Sequence, residues 1–189
     1  MILDGPGKRR PLTNRPVKVV EGRLRSCVTT TDSWVRHVVC LHNSPGVDGT
    51  GLHVENDIDL TSETMNNKEI AMKIVSDIQS EDLFYTDLNG FQVCLFSDIW
   101  SQQAWTLMIF QMIKRKRYDK LPLQANFYPV ASLAYIQDKS SRLSLISGQP
   151  LGGSSAASGA LEIMLDRRLM QVRVRLTVTV IINIIKFYI

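Results

Sequence analysis

The chain has 189 residues, 44% of them hydrophobic and 21% charged, with a formal net charge of +4. That length suffices for one domain with a sizeable core, and the composition excludes collagen-like, disordered and disulfide-scaffold classes. The positive charge comes from two short segments: residues 93–118 carry 4 basic groups against 1 acidic and residues 172–189 carry 3 against none, whereas residues 1–92 carry 10 against 13. No contiguous basic face is left for a phosphate backbone, so nucleic acid is not expected as a partner.

Three cysteines, Cys27, Cys40 and Cys94, cannot all pair within the chain, and without a CxxC or a nearby His pair they are no zinc ligand set. The redox compartment stays open on sequence alone. No apolar run follows the basic residues of the opening, MILDGPGKRRPLTNRP, so it is not read as a signal peptide.

From Val17 to Leu60 the chain is a series of β-leaning runs. The stretch 17–31 is rich in β-branched residues, and 34–42 follows after Asp32-Ser33. Asn43-Ser-Pro-Gly46 and Asp48-Gly49 then supply turn chemistry. In 52–60 the period is 2: Leu52, Val54, Asn56, Ile58 and Leu60 share one face, and His53, Glu55, Asp57 and Asp59 the other, which predicts one buried and one wet side. Residues 68–78 are read as a strand rather than a helix because Ile70, Met72 and Ile74 alternate with polar neighbours. Further strands are predicted over 83–92, ending in an Asn89-Gly90 turn, and over 130–137, 143–147 and 161–165; Gly152–Gly159 is read as a flexible connector. Short strands at near-regular spacing predict an all-β fold, an antiparallel β-sandwich. Two segments do not fit it. Ala104–Ile113 is apolar nearly all round before a basic Lys114-Arg-Lys-Arg117, yet too short for the roughly 20 residues that cross a bilayer. The stretch 172–189 alternates and then becomes continuously β-branched; exposed, it would be an aggregation-prone edge strand.

Four stretches carry a specific resemblance: Phe84-Tyr-Thr-Asp-Leu-Asn-Gly-Phe-Gln92, Leu121-Pro-Leu-Gln-Ala-Asn-Phe-Tyr-Pro129, Ala134-Tyr-Ile-Gln-Asp138 and Leu161-Glu-Ile-Met-Leu-Asp-Arg-Arg-Leu-Met-Gln171. In this order they resemble the C-terminal β-domain of glycoside hydrolase family 38, within its Golgi α-mannosidase branch. The resemblance implies a galactose mutarotase-like sandwich over residues 1–171, with 93–114 as a non-family insert and 172–189 as a non-family apolar tail. It also implies an α-mannosidase that trims mannose from N-glycans in the Golgi lumen, a retaining hydrolase needing two carboxylates about 5 Å apart, plus a zinc that orients sugar hydroxyls. In the family those groups sit in an N-terminal catalytic domain, which is then the expected partner of this chain, alongside N-glycan mannose as the whole enzyme's substrate. The expectation for this stretch itself is no catalytic, zinc or mannose-contacting residue and no cofactor, with membrane attachment only through an anchor elsewhere in a full-length protein. Both departures from the family fall at a Gln-Val pair, Gln92-Val93 and Gln171-Val172, as CAG-GTN codons would at a splice donor. Retained introns would account for both; a regulated insertion is the alternative.

The remaining polar residues read as structural. His37, His42 and His53 are ordinary strand histidines, with His37 and His42 on opposite faces, and Asp57 and Asp59 are solvated residues rather than a glycosidase pair. Asp87-Leu-Asn-Gly90 is read as a turn bonding its local backbone, and Phe127, Tyr128 and Tyr135 as core aromatics. Asp166, Arg167 and Arg168 are assigned to a domain interface, fixed by bidentate pairing, in preference to an acidic or sugar ligand. The competing function is a stand-alone, non-catalytic β-sandwich that binds mannose glycans.

Overall fold

The computed structural model describes residues 2–4, 8–12, 15–61, 66–89, 112–168 and 177–188. The strands among these residues are, in chain order, β1 Ile2–Asp4, β2 Lys8–Arg10, β3 Val17–Val20, β4 Arg25–Thr31, β5 Val35–His42, β6 Gly51–Asp59, β7 Lys68–Val75, β8 Leu83–Thr86, β9 Ile113–Lys116, β10 Tyr128–Val130, β11 Leu133–Gln137, β12 Ser141–Ser147, β13 Leu151–Ser154, β14 Ala160–Arg168 and β15 Thr177–Tyr188. A helical turn, Val47–Thr50, joins β5 to β6, and a 3-10 turn, Leu123–Asn126, leads towards β10.

All pairings are antiparallel and build two sheets: six strands in the order β10-β13-β14-β7-β1-β2, and nine in the order β3-β4-β5-β6-β15-β12-β11-β8-β9. This is the antiparallel sandwich that the short alternating runs predict. Its core lies between the sheets. Val54, Ile58, Leu145 and Ile182 of the larger sheet face Ile70, Leu161 and Ile163 of the smaller, all buried. Burying one such side chain contributes about 1.5–3 kcal/mol, so these positions set the register of every strand that bears them.

The period-2 reading holds closely in β6, where Val54, Asn56 and Ile58 are buried and their neighbours half-buried. β7 is a strand, with Met72 and Ile74 in register with the buried Ile163 and Leu161 of β14 and Ile70 itself buried in the core. Two predicted segments differ. The 130–137 run is not one strand: β10 ends at Val130 in the smaller sheet and β11 begins at Leu133 in the larger, so the chain changes sheets at Ala131-Ser132. The glycine-rich connector begins as a strand, because β13 takes Gly152, Gly153 and Ser154. A Cβ on Gly153 would come within 2.7 Å of Val130 Cγ2 and 3.2 Å of Ile163 Cδ1; glycine there gives close packing, not flexibility.

At the far end of the larger sheet the core-side file continues through Val17, Val19, Val28, Leu41 and Leu52, which are between 39% and 60% exposed. The sandwich therefore has an uncovered apolar flank over β3–β5. Of the 93–114 segment, residues 93–111 lie outside the described residues, as does the Gly90 half of the predicted Asn89-Gly90 turn; Ile113 and Lys114 open β9, which pairs with β8. Within 172–189, Thr177–Tyr188 form β15 at the middle of the nine-stranded sheet, not at an edge.

Candidate functional site

β14 and the loops beside it form a cleft of about 450 Å³ on the smaller sheet. Its lining combines the apolar side chains Leu123, Phe127 and Met164 with Glu69, Asp166 and Arg167. The 3-10 turn places Leu123 and Gln124, and Gly152 keeps the floor low: a Cβ there would already touch Met164 Cβ at 3.7 Å and Phe127 at 3.9 Å. A register shift between Met164 and Asp166 marks a β-bulge, a device that re-aims side chains at a strand's end. Beyond it Arg167 stands opposite Glu69 on β7.

The three residues assigned to an interface all follow the bulge and point to different partners. Asp166 Oδ1 accepts a hydrogen bond from the Arg167 backbone N–H at 2.7 Å, and burial holds its carboxyl above the usual aspartate range. Arg167 is exposed at the rim. Arg168 turns to the other face, where its guanidinium donates to the Leu60 carbonyl and ties the end of β14 to the end of β6. Asp166 and Arg167 thus belong to the cleft, and Arg168 joins the two sheets.

A second cavity, of about 480 Å³, opens between the sheets beside the uncovered flank. His37 Nδ1 and Asn56 Oδ1 lie 2.6 Å apart on one wall, and the Asn56 amide donates to Met72 Sδ at 3.9 Å. At the mouth Arg15 pairs with Asp32 at 2.7 Å. His37 has the strand-histidine role the sequence predicts, and Asn56 is the polar member of an otherwise apolar face.

Other acidic groups serve the fold. Buried Asp87 accepts the backbone N–H groups of Ala131, Ser132 and Leu133 and the Ser132 hydroxyl, at 2.7–3.2 Å. Its partners lie more than forty residues on, at the corner where the chain changes sheets, rather than in its local turn. Burial works to raise the Asp87 pKa, but the bonds from Ser132, Leu133 and Ala131 prevail and it lies below the usual value. Asp57 is held low chiefly by its hydrogen bond from Arg36 and then by Thr179, at 2.7 and 2.8 Å, and Asp59 by Thr61. Each is committed locally, and the two do not act together. Tyr135 is not a core residue: it stacks on Tyr85 at 4.5 Å beneath the Arg142 guanidinium, on the outer face of the larger sheet.

Among the described residues no three His, Cys, Asp or Glu side chains converge as metal ligands, and no step is assigned to a metal. No helix among them is long and apolar enough to cross a membrane. Cys27 and Cys40 face each other on β4 and β5 and form a disulfide, while Cys94 lies outside the described residues.

Comparison with known proteins places this geometry. The sequence profile of the "Glycosyl hydrolases family 38 C-terminal domain" matches residues 7–173, which take in the cleft and both cavity walls. Alpha-mannosidase 2 of Homo sapiens is 44% identical over 171 residues, 90% of this chain and 13% of that protein. Alpha-mannosidase 2 of Drosophila melanogaster is 42% identical over 168 residues, 89% of this chain and 13% of its own length. A crystal structure of an alpha-mannosidase from Enterococcus faecalis V583 shares the fold, with a TM-score of 0.64 at 8% identity over 92% of this chain and 22% of that one. The chain thus spans 13% of the length of the curated relatives named. With profile, curated relatives and fold in agreement, the chain belongs to the family of glycosyl hydrolases family 38 C-terminal domains.

Proposed function

We propose that this chain is the C-terminal β-sandwich portion of an α-mannosidase acting on N-glycans in the Golgi lumen, with the bond-breaking carboxylates and the zinc supplied outside it. The observation that carries this reading is the 44% identity with alpha-mannosidase 2 of Homo sapiens along 90% of the chain. The Cys27–Cys40 disulfide supports an oxidising compartment, since such cross-links persist in the secretory pathway and are rare in the cytosol. The cleft bearing Asp166 and Arg167 is the face that packs on the rest of the enzyme. It is half apolar and carries charges of both signs, which suits a domain interface better than a sugar subsite.

The inter-sheet cavity, with His37, Asn56 and the Arg15–Asp32 pair, is the feature that favours the glycan-binding alternative. The purified chain separates the two. Neither hydrolysis of an aryl α-mannoside nor a calorimetric signal with mannose oligosaccharides is expected. A mannose-dependent heat signal abolished by Asn56→Leu would establish the binding module, and hydrolysis by the chain alone would overturn both readings.

A further inference from the structure

The strand at the centre of the larger sheet lies outside the matched family range. Residues 7–173 fit the profile, and β15 begins at Thr177. Yet β15 is paired along both edges: with β6 from Thr177↔Asp59 to Ile185↔Gly51, and with β12 from Ile182↔Ser147 to Tyr188↔Ser141. Val180 and Ile182 are 0% exposed, and Ile184 is 9% exposed beside Leu52 and Leu145.

β15 is antiparallel to both neighbours, so β6 and β12 run parallel to each other, two strand spacings or about 9.6 Å apart. Across that gap they cannot pair. Without β15 the sheet has two facing edges of unpaired N–H and C=O groups, with the apolar side chains of the smaller sheet as the floor between them. Such a slot prescribes its occupant. It requires an extended segment with apolar side chains at alternate positions, as at Val180, Ile182 and Ile184, and it tolerates exposed residues between them, as at Thr179 and Ile181. The Thr179 hydroxyl donates to Asp57 Oδ1 at 2.8 Å while Arg36 holds Oδ2 at 2.7 Å, so a polar contact also marks the register.

We propose that the gap between β6 and β12 is a strand-accepting site, filled here in cis by the chain's own 177–188 segment and able to take an extended apolar peptide of the same alternating pattern in trans. This is strand addition at two edges at once, in which main-chain bonds give affinity and the alternate side chains give register. It is independent of any mannosidase activity.

The test uses the full chain with a protease site inserted between residues 171 and 176, folded first and then cut. Mild denaturant releases the cut tail, and the denaturant is diluted in the presence of a labelled, lysine-tagged peptide of residues 174–189. The expected result is saturable uptake of one peptide per chain at unchanged hydrodynamic size, with at least tenfold weaker uptake of the peptide carrying Val180→Asp and Ile182→Asp. Refolding with a native spectrum but no uptake overturns the proposal. So does equal uptake of the doubly substituted peptide, or a tail that leaves only when the whole sandwich unfolds. Hydrogen exchange on the uncut chain is a second readout: β15 amides are expected to be far more protected than exposed loops and less protected than those of β14, because the strand can leave without global unfolding, and exchange at the rate of exposed loops, or protection equal to that of β14, would also overturn it.

Discussion

Asp87 shows how one carboxylate secures a corner. As the chain leaves β10 for β11, the three consecutive backbone N–H groups of Ala131, Ser132 and Leu133 all donate to the Asp87 oxygens. Asp87→Ala leaves those half-buried donors without their acceptor, a loss of about 1–3 kcal/mol with water reaching the exposed Ser132, readable as a lower urea midpoint; Asp87→Asn, which keeps one acceptor oxygen, costs less. Acid has a related effect. The folded-state pKa of Asp87 lies below its unfolded value, and that of Asp138 falls to about 2 under hydrogen bonds from the Ser140 and Gln79 backbone. Groups depressed by folding contribute stability that is present above the unfolded pKa near 4 and is lost as pH falls through the folded one, so the thermal midpoint should drop between about pH 4 and pH 2. Asp166 has the opposite sign, since burial raises it, and its contribution turns unfavourable as pH rises past about 4. Asp166→Asn should therefore leave the isolated chain's thermal midpoint at pH 7 unchanged or higher, and a clear drop would contradict a role directed outside the sandwich.

At the scale of elements, what the sequence makes legible is what a period of 2 encodes. β6 and β7 announce themselves because one face is apolar and the other wet, and the sheet needs that alternation to close over the core. The failures have equally physical causes. Gly152 and Gly153 look like a linker, but close approach of β10 and β14 requires glycine at that point, which only the tertiary contact reveals. The break at Ala131-Ser132 is hidden because its stabilising partner, Asp87, is remote in sequence. The cleft is legible only in part: Asp166 and Arg167 carry a signal, whereas Glu69, Leu123 and Phe127 come from separate elements and converge only on folding. Asn56, a polar residue in a file of apolar ones, is a sequence signal of the inter-sheet cavity. Cys27 and Cys40 share no diagnostic spacing, and the β4–β5 register brings them opposite one another. Their disulfide closes a loop over a separation of 13 residues, and the double change Cys27→Ser, Cys40→Ser should cost about 3 kcal/mol in denaturant unfolding, with an equal loss when the native chain is reduced.

The whole molecule is a sandwich with two unfinished surfaces. The flank of Val17, Val19, Val28, Leu41 and Leu52 is apolar and uncovered, and the cleft on the smaller sheet presents Phe127 and Met164 beside Asp166 and Arg167. Surfaces of this kind mark contact with other protein. On the proposed function, these are the surfaces by which the sandwich meets the rest of an enzyme. If the proposed function holds, this sandwich can stand in for its counterpart in an α-mannosidase. A direct measurement replaces the aligned segment of human alpha-mannosidase 2 with this chain, β15 included, and assays aryl α-mannoside hydrolysis, with and without Arg167→Glu. Hydrolysis within about tenfold of the parent enzyme is expected, with a further loss on Arg167→Glu through weakened domain packing. A chimera that folds and is secreted at parental levels but cleaves nothing would contradict it.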